Sequence, residues 1–204
     1  GTRTDSHEFI PEVVKAGVKA FVVEREVKLP EGITAVRVHN AREALALLSA
    51  ARFGYPAKKM VTIGVTGTKG KTTTSHMIKT ILEACGKKVG MIGTTGIVIG
   101  DKVTPTVNTT PESYELHQAF SQMAEAGCEY MVMEVSSQAF KMHRVDGIFF
   151  DYGLFTNISP DHIGPGEHEN FEEYLYCKSR IFHCSRVGIM NRDDVHFDAV
   201  IKDA

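Results

Sequence analysis

One glycine-rich turn, set between a β-branched run and a helix-compatible run, constrains the fold of this chain most strongly. The stretch from Val61 to Thr74 reads VTIGVTGTKGKTTT, so a short apolar strand leads into glycines and then into Lys71 and Thr72. Strand, glycine loop, Gly-Lys-Thr and helix together form the layout of a phosphate-binding loop. We therefore expect an α/β domain in which helices flank a mostly parallel sheet.

The residue types of this loop suit the binding of a phosphate chain. Gly67 and Gly70 can adopt positive φ angles, which lets backbone N–H groups approach an anion, and the next helix adds its dipole. Lys71 supplies positive charge for the terminal phosphates, and the Thr72 hydroxyl can coordinate Mg²⁺. The spacing departs from the usual signature, because Val65 stands where its first glycine would be. A structural turn that happens to contain Gly-Lys-Thr is therefore the alternative.

The charge and hydropathy of the chain exclude several classes of protein. Its 204 residues are 43% hydrophobic and 24% charged, which is ordinary for a globular protein. The formal net charge of −2 gives no basis for nonspecific nucleic-acid binding. No apolar run approaches membrane-spanning length, and the start GTRTDSHEF shows no apolar leader. We expect a monomeric, cytoplasmic protein without a nucleic-acid or membrane partner.

The cysteines indicate free thiols. The four of them form neither a CxxC pair nor a dense disulfide framework. Structural zinc is the alternative, and its candidate ligands are His162, His168, Cys177, His183 and Cys184. Their spacings fit no usual zinc module, so zinc is disfavoured.

The pattern of elements changes near residue 58. Residues 1–57 form a small α/β unit by pattern, with Gly54-Tyr55-Pro56 as the expected linker. A helix capped by Asn40 is predicted there, with an apolar face of Leu45, Leu47, Leu48 and Ala51. Residues 58–204 follow strand–helix–strand order, and the helix after the glycine loop is predicted to carry Met77, Ile78, Ile81 and Leu82 on one face.

A polar segment follows a predicted hairpin at Gly100-Asp101. It contains Asn108, Thr109 and Thr110, ahead of Pro111. Thr110 is a good N-cap residue, and Pro111 suits the first position of a helix. Capping alone is one interpretation of the two threonines, and binding of an anionic ligand at the helix start is the other.

A carboxylate lies at the end of the most apolar predicted strand. The run from Glu129 to Val135 reads EYMVMEV and carries Glu134 near its end. A buried carboxylate is costly unless it is paired or bound to metal, and ligands gather at the carboxyl ends of parallel strands. Glu134 is therefore a candidate Mg²⁺ ligand, with a structural ion pair as the alternative. Arg144, further along, is either a surface cation or a clamp for oxyanions.

Several of these stretches together resemble the Mur ligases, the ATP-dependent amide-bond-forming enzymes of peptidoglycan synthesis. They are, in chain order, GVTGTKGKTTT (64–74), NTTP (108–111), EVSS (134–137), HRV (143–145), Thr156-Asn157 with Asp161-His162, Lys178, and Asn191-x-Asp-Asp194. Within that family they are most similar to the branch that adds the third amino acid to UDP-MurNAc-L-Ala-D-Glu.

The resemblance implies a protein of three domains. Residues 1–57 would be the C-terminal part of the UDP-binding N-terminal domain, and residues 58–204 most of the central ATPase domain. The third domain, which binds the incoming amino acid, would be absent. The chain alone is therefore expected to bind nucleotide but to be inactive as a ligase, and its residues do not identify the amino acid.

The implied reaction belongs to cell wall synthesis, on which cell shape and cell division depend. ATP phosphorylates the acceptor carboxylate to an acyl phosphate, and the amine of the incoming amino acid then attacks it and displaces phosphate. Such chemistry consists mostly of positioning and charge neutralisation. The small-molecule partners would be ATP with Mg²⁺, a UDP-muramoyl dipeptide and an amino acid.

The resemblance also assigns residues to roles. The ATP phosphates would be held by Thr66, Gly67, Thr68, Lys69, Gly70, Lys71 and Thr72. A first Mg²⁺ would be bound by Thr72 and Glu134, and a second by His162, Glu134 and a carbamylated Lys178. The UDP-muramoyl peptide would contact Asn108, Thr109, Thr110, Ser136 and Arg144. The catalytic set would be Lys71, Glu134, His162 and Lys178.

Lys178 can serve a metal only after chemical change. An ammonium group repels Mg²⁺, whereas a neutral amine can add CO₂ and become a carbamate with oxygen ligands. This requires a lowered lysine pKa, which burial or nearby cations would cause. The alternative is a solvated helix lysine beside Arg180.

Departures from the family pattern concern the acceptor more than the ATP chemistry. Gln138 stands where this branch usually has His, Met142 where a Gln often contacts the muramoyl substrate, and IGPGEHEN (163–170) differs from better-known members. One alternative is a ligase of the same superfamily with another carboxylate acceptor, such as a folylpolyglutamate or cyanophycin synthetase. Another is a P-loop nucleotide-binding module without catalysis.

Overall fold

The chain folds into two units of α/β structure. The computed structural model describes residues 5–202, and contacts divide the chain into Gly1–Leu45 and Ala46–Ala204. Within the described residues no helix is both long enough and apolar enough to cross a membrane.

The first unit contains a pair of short parallel strands and a short helix. A 3₁₀ turn (Ser6–Phe9) leads into α1 (Ile10–Lys15), and β1 (Ala20–Val23) pairs with β2 (Thr34–Arg37). The α-helix begins only at Ile10 because a proline occupies its first turn, where the missing N–H costs nothing.

Helix α2 (Ala41–Arg52) begins at the predicted cap. The Asn40 side-chain oxygen accepts hydrogen bonds from the backbone N–H groups of Arg42 (2.9 Å) and Glu43 (3.1 Å). These bonds satisfy two of the amide groups that a helix start leaves without intrahelical partners.

The predicted apolar face of α2 is wrong. The buried residues of the helix are Ala46, Ser49 and Ala50, whereas Leu45, Leu47 and Leu48 are exposed. Small side chains at positions i, i+3 and i+4 form the buried stripe, and the leucines flank it.

A seven-stranded mixed sheet forms the centre of the second unit. Its strands are β3 (Val61–Thr66), β4 (Val89–Gly93), β5 (Gly96–Ile99), β6 (Lys102–Thr104), β7 (Tyr130–Glu134), β8 (Phe150–Phe155) and β9 (Ser185–Met190). The spatial order is β6-β5-β4-β7-β3-β8-β9. The five strands β4, β7, β3, β8 and β9 are neighbours in that order and run parallel. Strands β5 and β6 form the predicted hairpin and add to β4 in antiparallel orientation at one edge. The predicted fold class, a mostly parallel sheet flanked by helices, is confirmed.

Helices cover the sheet on both faces. They are α3 (Lys71–Ala84), α4 (Ser113–Glu125), α5 (Ser137–Lys141), α6 (Phe171–His183) and α7 (Phe197–Ile201). The main core lies between the sheet and helices α4, α5, α6 and α7, while α3 packs over a second cluster around Val65 and Val132. Strand β7 supplies both cores because its successive side chains point to opposite faces.

Helix α3 buries a narrower stripe than the sequence predicts. Ile78 and Leu82 pack against the second core, but Met77 and Ile81 are 59% and 60% exposed. Each of these two precedes an inward residue by one position, which rotates it by about 100° away from the sheet.

The prediction that Thr110 caps the next helix is also wrong. Helix α4 begins at Ser113, with Glu112 at the N-cap position. The buried Thr110 hydroxyl instead donates to the Glu134 carbonyl oxygen (3.0 Å) and accepts from the Ser136 N–H (3.0 Å). It therefore satisfies the backbone at the end of β7, where the strand leaves the sheet.

Candidate active site

The predicted site residues gather where the central parallel strands end. Val65 of β3 lies beside Glu134 of β7, and Ile92 of β4 lies beside Met133 of the same strand. The loops that follow β3, β4 and β7 therefore leave one edge of the sheet together. In open α/β sheets this edge forms the crevice in which ligands bind.

The glycine loop is fastened to the residues that follow β8. Gly67 has φ +143°, and a Cβ there would collide with the Thr156 side chain and lie 3.1 Å from the Asn157 carbonyl oxygen. The Asn157 side chain accepts from the Lys69 N–H and donates to the Lys69 carbonyl, both at 3.0 Å. No individual role of Thr156 and Asn157 was predicted from their sequence context, although the resemblance included them. Their function in the structure is to hold the shape of the loop.

The start of α3 offers backbone donors to an anion. Its N-cap is Gly70 (φ +85°), which has no side chain to occupy the amides of the first turn. These N–H groups and the helix dipole favour negative charge in front of the helix.

Lys71 extends back over the loop. Its Nζ donates to the carbonyl oxygens of Gly67 (2.8 Å) and Thr68 (3.1 Å). Burial lowers the pKa of Lys71 and the Lys69 charge adds to this, while Glu134 opposes it. A phosphate group at the loop would offer this amine a stronger, charged acceptor than the two carbonyls.

Glu134 lies beside Thr72, as the strand positions predict. The carboxylate is only 1% exposed, and its Oε2 accepts from the Thr72 hydroxyl at 3.0 Å. Thr94 supplies two further donors, its N–H to Oε1 (3.0 Å) and its hydroxyl to Oε2 (3.3 Å). These three donors are neutral groups, so the contacts observed differ from the structural ion pair that was the alternative.

The donor set at Glu134 fits Mg²⁺. A carboxylate and a threonine hydroxyl supply hard oxygen atoms, which this ion prefers. Within residues 5–202 no cluster of three or more His, Cys, Asp or Glu side chains could hold a metal by itself. Such a sparse set suits Mg²⁺, which is usually held by one or two carboxylates together with substrate phosphates and water.

Lys178 is not the solvated lysine that was the alternative. The residue is 2% exposed, its Nζ donates to the Gly67 carbonyl oxygen at 2.8 Å, and it lies 4.7 Å from the centre of the Tyr174 ring. Burial, together with the neighbouring Lys71 charge, lowers the pKa of Lys178 to about 7. A large fraction of this amine is therefore neutral near pH 7.

His162 has Glu167 as its observed partner. Its backbone has φ +54°, its side chain is 54% exposed, and its Nδ1 lies 3.0 Å from Glu167 Oε1. Asp161 pairs with Lys69 at 3.2 Å, and the hydrogen bond from that lysine lowers the pKa of the Asp161 carboxyl. The structure thus places Thr72 against Glu134, and it brings Lys71 and Lys178 together at the Gly67 carbonyl oxygen, to which both donate. His162 contacts Glu167 instead.

Three of the predicted acceptor-binding residues, Thr110, Ser136 and Arg144, contact one another or the end of β7. Arg144 pairs with Glu112 (2.8 Å) and donates to the Thr110 carbonyl oxygen (3.2 Å), and its side chain is largely buried. This placement disfavours the surface-cation alternative. Ser136 caps α5 through the Ala139 N–H. Thr109 Oγ1 lies 3.5 Å from Thr94 Oγ1, and Asn108 is half-buried on the same segment.

Two contributors to the site carried no sequence signal. The buried Tyr174 hydroxyl lies 3.0 Å from Thr68 Oγ1, which also bonds to the Ser159 backbone. The second is Thr94, whose N–H and hydroxyl both donate to the Glu134 carboxylate. Both contacts join residues that are distant in sequence, and only the strand order brings them together.

A mostly parallel sheet with a glycine loop, a lysine and a threonine–glutamate pair at its carboxyl edge defines a P-loop α/β domain. A family model described as the Mur ligase middle domain matches residues 65–204, and the chain therefore belongs to the Mur ligase family. The resemblance inferred from the sequence is thus confirmed.

Named relatives agree with this membership. The chain is 45% identical over 203 residues to a UDP-N-acetylmuramoyl-L-alanyl-D-glutamate–2,6-diaminopimelate ligase of Clostridium perfringens, covering 100% of this chain and 42% of that protein. It is 41% identical over 199 residues to a UDP-N-acetylmuramyl-tripeptide synthetase of Bifidobacterium longum, covering 97% of this chain and 38% of that protein. The chain thus spans about two fifths of the length of these relatives.

Solved structures share the fold. The structure of a UDP-N-acetylmuramoyl-L-alanyl-D-glutamate–2,6-diaminopimelate ligase superposes with a TM-score of 0.81 at 26% identity. The match covers 96% of this chain and 39% of that one. A Mycobacterium tuberculosis folylpolyglutamate synthase, solved with ADP and AMPPCP, gives a TM-score of 0.61 at 17% identity, over 78% of this chain and 43% of that one. The second likeness concerns the fold alone.

Proposed function

We propose that this chain is the nucleotide-binding part of an ATP-dependent amide ligase, a UDP-N-acetylmuramoyl-tripeptide synthetase. The ligase adds an amino acid to UDP-MurNAc-L-Ala-D-Glu through an acyl phosphate. Residues 1–57 belong to its UDP-binding domain and residues 58–204 to its central domain. In this proposal the protein is cytoplasmic and monomeric and acts in peptidoglycan precursor synthesis.

The contact between Thr72 and Glu134 carries the proposal. A helix start with open amides, a lysine over the loop and a buried carboxylate 3.0 Å from a threonine hydroxyl together suit a metal–nucleotide complex. The amides and the lysine suffice to bind the phosphates of a metal-free nucleotide. The carboxylate adds a way to orient the terminal phosphate toward an acceptor.

Each residue of the loop has a task in this proposal. The segment 66–72 holds the phosphates, with the open amides at the start of α3 as donors, and Lys71 exchanges its carbonyl partners for phosphate oxygens. Thr72 and Glu134 hold a first Mg²⁺, which would neutralise negative charge on the phosphate oxygens. Thr156 and Asn157 hold the conformation of the loop by donating to the Lys69 carbonyl oxygen.

Lys178 becomes a metal ligand as a carbamate. Its buried amine has a pKa of about 7, so its neutral form is available to add CO₂. His162, Glu134 and the carbamate oxygens would hold a second Mg²⁺, and His162 would have to give up its contact with Glu167 to do so. Enrichment with ¹³C-bicarbonate should give a carbamate carbon signal in the wild-type spectrum that Lys178→Arg removes.

The acceptor occupies the other side of the same edge. Asn108, Thr109, Thr110, Ser136 and Arg144 contact the UDP-muramoyl dipeptide. Arg144 presents a planar guanidinium suited to carboxylate or phosphate oxygens once its bond to Glu112 is exchanged. The incoming amino acid binds on a domain outside these 204 residues, and the chain alone is therefore inactive as a ligase.

A binding screen tests the proposal. We expect the chain to bind ADP with Mg²⁺ and, separately, UDP-MurNAc-L-Ala-D-Glu, both measured by isothermal titration calorimetry. Binding of a pterin polyglutamate in place of the UDP-muramoyl dipeptide would indicate a folylpolyglutamate synthetase. Binding of nucleotide with no carboxylate acceptor at all would indicate a P-loop module without ligase function. Tripeptide formation by these 204 residues would contradict the expected inactivity.

A further inference from the structure

The backbone at the end of β4 lies directly against the Glu134 carboxylate. A Cβ on Gly93 would collide with Glu134 Oε1 and lie 2.8 Å from its Cδ. Glycine is therefore required at this position for the carboxylate to lie where it does. The close approach also brings the next amide, the Thr94 N–H, within 3.0 Å of Oε1.

The Thr94 hydroxyl lies between two predicted sites. It is 3.3 Å from Glu134 Oε2 on one side and 3.5 Å from Thr109 Oγ1 on the other. The Thr94 hydroxyl donates its one proton to Glu134 Oε2, so Thr109 is the donor in the contact with Thr94. The contact to Thr109 is long for an O–H···O bond, so a small movement of Thr109 can make or break it.

A second link joins the same two regions through the backbone. Thr110, adjacent to Thr109, donates to the Glu134 carbonyl oxygen and accepts from the Ser136 N–H, both at 3.0 Å. The segment 108–110 thus contacts Glu134 in two ways. Thr110 bonds to the Glu134 backbone, and Thr109 reaches the Glu134 carboxylate through Thr94. The Thr110 link is buried and short, whereas Thr94 is exposed. Only the Thr94 link can change readily on ligand binding.

We propose that Thr94 is a positioning residue that couples occupancy of the acceptor segment (residues 108–110) to the metal-binding geometry of Glu134. The Thr94 N–H donates to Glu134 Oε1 and holds it in place. The Thr94 hydroxyl contacts Thr109 and also donates to Glu134 Oε2, so a movement of Thr109 would change the position of Oε2. The same Oε2 accepts from the Thr72 hydroxyl. The identity of the acceptor rests on the proposed function, whereas the contacts of Thr94 with Glu134 do not depend on it.

Coupling of this kind is reciprocal. If an acceptor tightens metal binding by some factor, the metal tightens acceptor binding by the same factor. Residues that hold a metal ligand in place typically change metal affinity about 10- to 100-fold when they are removed. Loss of the Thr94 hydroxyl should therefore weaken metal binding even without acceptor, and should also remove the acceptor's effect.

The experiment measures Mn²⁺ affinity by electron paramagnetic resonance in the presence of ADP, with and without UDP-MurNAc-L-Ala-D-Glu. For the wild-type chain we expect the dipeptide to tighten Mn²⁺ binding about fivefold. Thr94→Val, which keeps the shape and the N–H, should weaken Mn²⁺ about tenfold in ADP alone and show no dipeptide effect. Thr94→Ser should restore both properties, because it restores the hydroxyl.

Controls separate positioning from general disruption. Thr104→Val makes the same change at an exposed position on β6 and should leave both measurements at wild-type values. Since Thr94 is exposed, valine should be accommodated, and Thr94→Ala must match it if the hydroxyl is the cause. Unchanged melting temperatures for all variants would exclude a folding effect.

The outcomes distinguish this proposal from the proposed function. If the wild-type chain binds the dipeptide but Thr94→Val keeps the full Mn²⁺ affinity and dipeptide effect, the role of Thr94 is wrong while the ligase assignment stands. If the wild-type chain binds no dipeptide, both the acceptor assignment and the coupling are wrong. In that case the loss of Mn²⁺ affinity in ADP alone still decides whether Thr94 positions Glu134.

Discussion

The two sides of the sheet edge are built differently. On the nucleotide side, residues 66–72, the loop is shaped by backbone contacts: Gly67 fits only without a Cβ, and Asn157 holds both polar groups of the Lys69 backbone. On the acceptor side, which comprises the segment 108–110, Ser136 and Arg144, the Thr110 and Ser136 hydroxyls contact each other, and Arg144 donates to the Thr110 carbonyl oxygen and pairs with Glu112. The loop backbone on the nucleotide side is therefore preformed, and only the Lys71 amine changes partners there in our proposal, whereas on the acceptor side Arg144 exchanges its contact with Glu112 for the ligand.

This difference has a consequence for mutation. A change on the nucleotide side should act through a rigid framework and affect affinity or stability strongly. A change on the acceptor side should remove one exchangeable contact and leave nucleotide binding intact. The variants below test this contrast, beginning with the largest expected effect.

Lys71→Ala should weaken ATP binding about 100-fold, because it removes a charge-assisted hydrogen bond to phosphate and leaves part of the anion's charge uncompensated. Lys79→Ala on the same helix removes a lysine that pairs with Glu83 instead, and serves as the matched control. Calorimetric titration measures both. Equal ATP affinities for the two variants would show that the loop does not bind phosphate.

Gly67→Ala should lower the free energy of unfolding by about 3 kcal/mol, because the new Cβ overlaps the Thr156 side chain at a positive φ. Gly100→Ala is the matched control, since Gly100 also has positive φ (+58°) but open space around it. We expect it to cost only about 1 kcal/mol. Urea unfolding gives both values, and equal losses would mean that the loop is not fixed by the residues after β8.

Acid should destabilise the helix that follows the acceptor segment. His117 on α4 is buried, and within the described residues neither ring nitrogen has a hydrogen-bond partner. Burial lowers its pKa to about 4. Because the unfolded chain binds the proton first, stability is lost as pH falls from about 6.5 to about 4, by roughly 2 to 3 kcal/mol.

His117→Met tests this pH dependence. The variant lacks the titrating imidazole, so acid should destabilise it less than wild type. As pH falls from about 7 to about 4.5, its free energy of unfolding relative to that of wild type should rise by about 2 kcal/mol, measured by urea unfolding. A constant difference between the two proteins over that range would show that His117 does not resist protonation in the folded state.

Arg144→Lys should weaken binding of UDP-MurNAc-L-Ala-D-Glu about tenfold and leave the affinity for ADP with Mg²⁺ unchanged. Lysine keeps the charge but cannot form the bidentate hydrogen bonds of a guanidinium. Arg186→Lys, the same change at a residue that pairs with Asp151 on the far strands, should alter neither affinity. A parallel loss of ADP affinity in Arg144→Lys would contradict the separation of the two sides.

Local chemistry made most of the fold and the nucleotide side predictable. The strand from Val61, the open helix start at Gly70 and the apolar run ending at Glu134 are each readable from neighbouring residues. Strand ends share one edge in a parallel sheet, and this rule made Glu134 a candidate metal ligand, while its pairing with Thr72 was implied by the resemblance to the Mur ligases. The structure puts their oxygen atoms 3.0 Å apart.

Long-range packing was the part that the sequence could not supply. Thr94 meets Glu134 because β4 lies beside β7, and Tyr174 meets Thr68 across 106 residues. Thr110 looked like a helix cap because its alternative partner, the end of β7, is distant in sequence. The leucines of α2 looked like a core face because hydrophobicity alone does not say which side of a helix meets a neighbour.

Titration of ADP with and without Mg²⁺, in wild type and in Glu134→Gln, tests the central claim most directly. We expect Mg²⁺ to strengthen ADP binding by wild type at least about tenfold, and Glu134→Gln to lose this gain while binding metal-free ADP as wild type does. An equal Mg²⁺ gain in both proteins would contradict the claim that Glu134 and Thr72 hold the metal beside the phosphates.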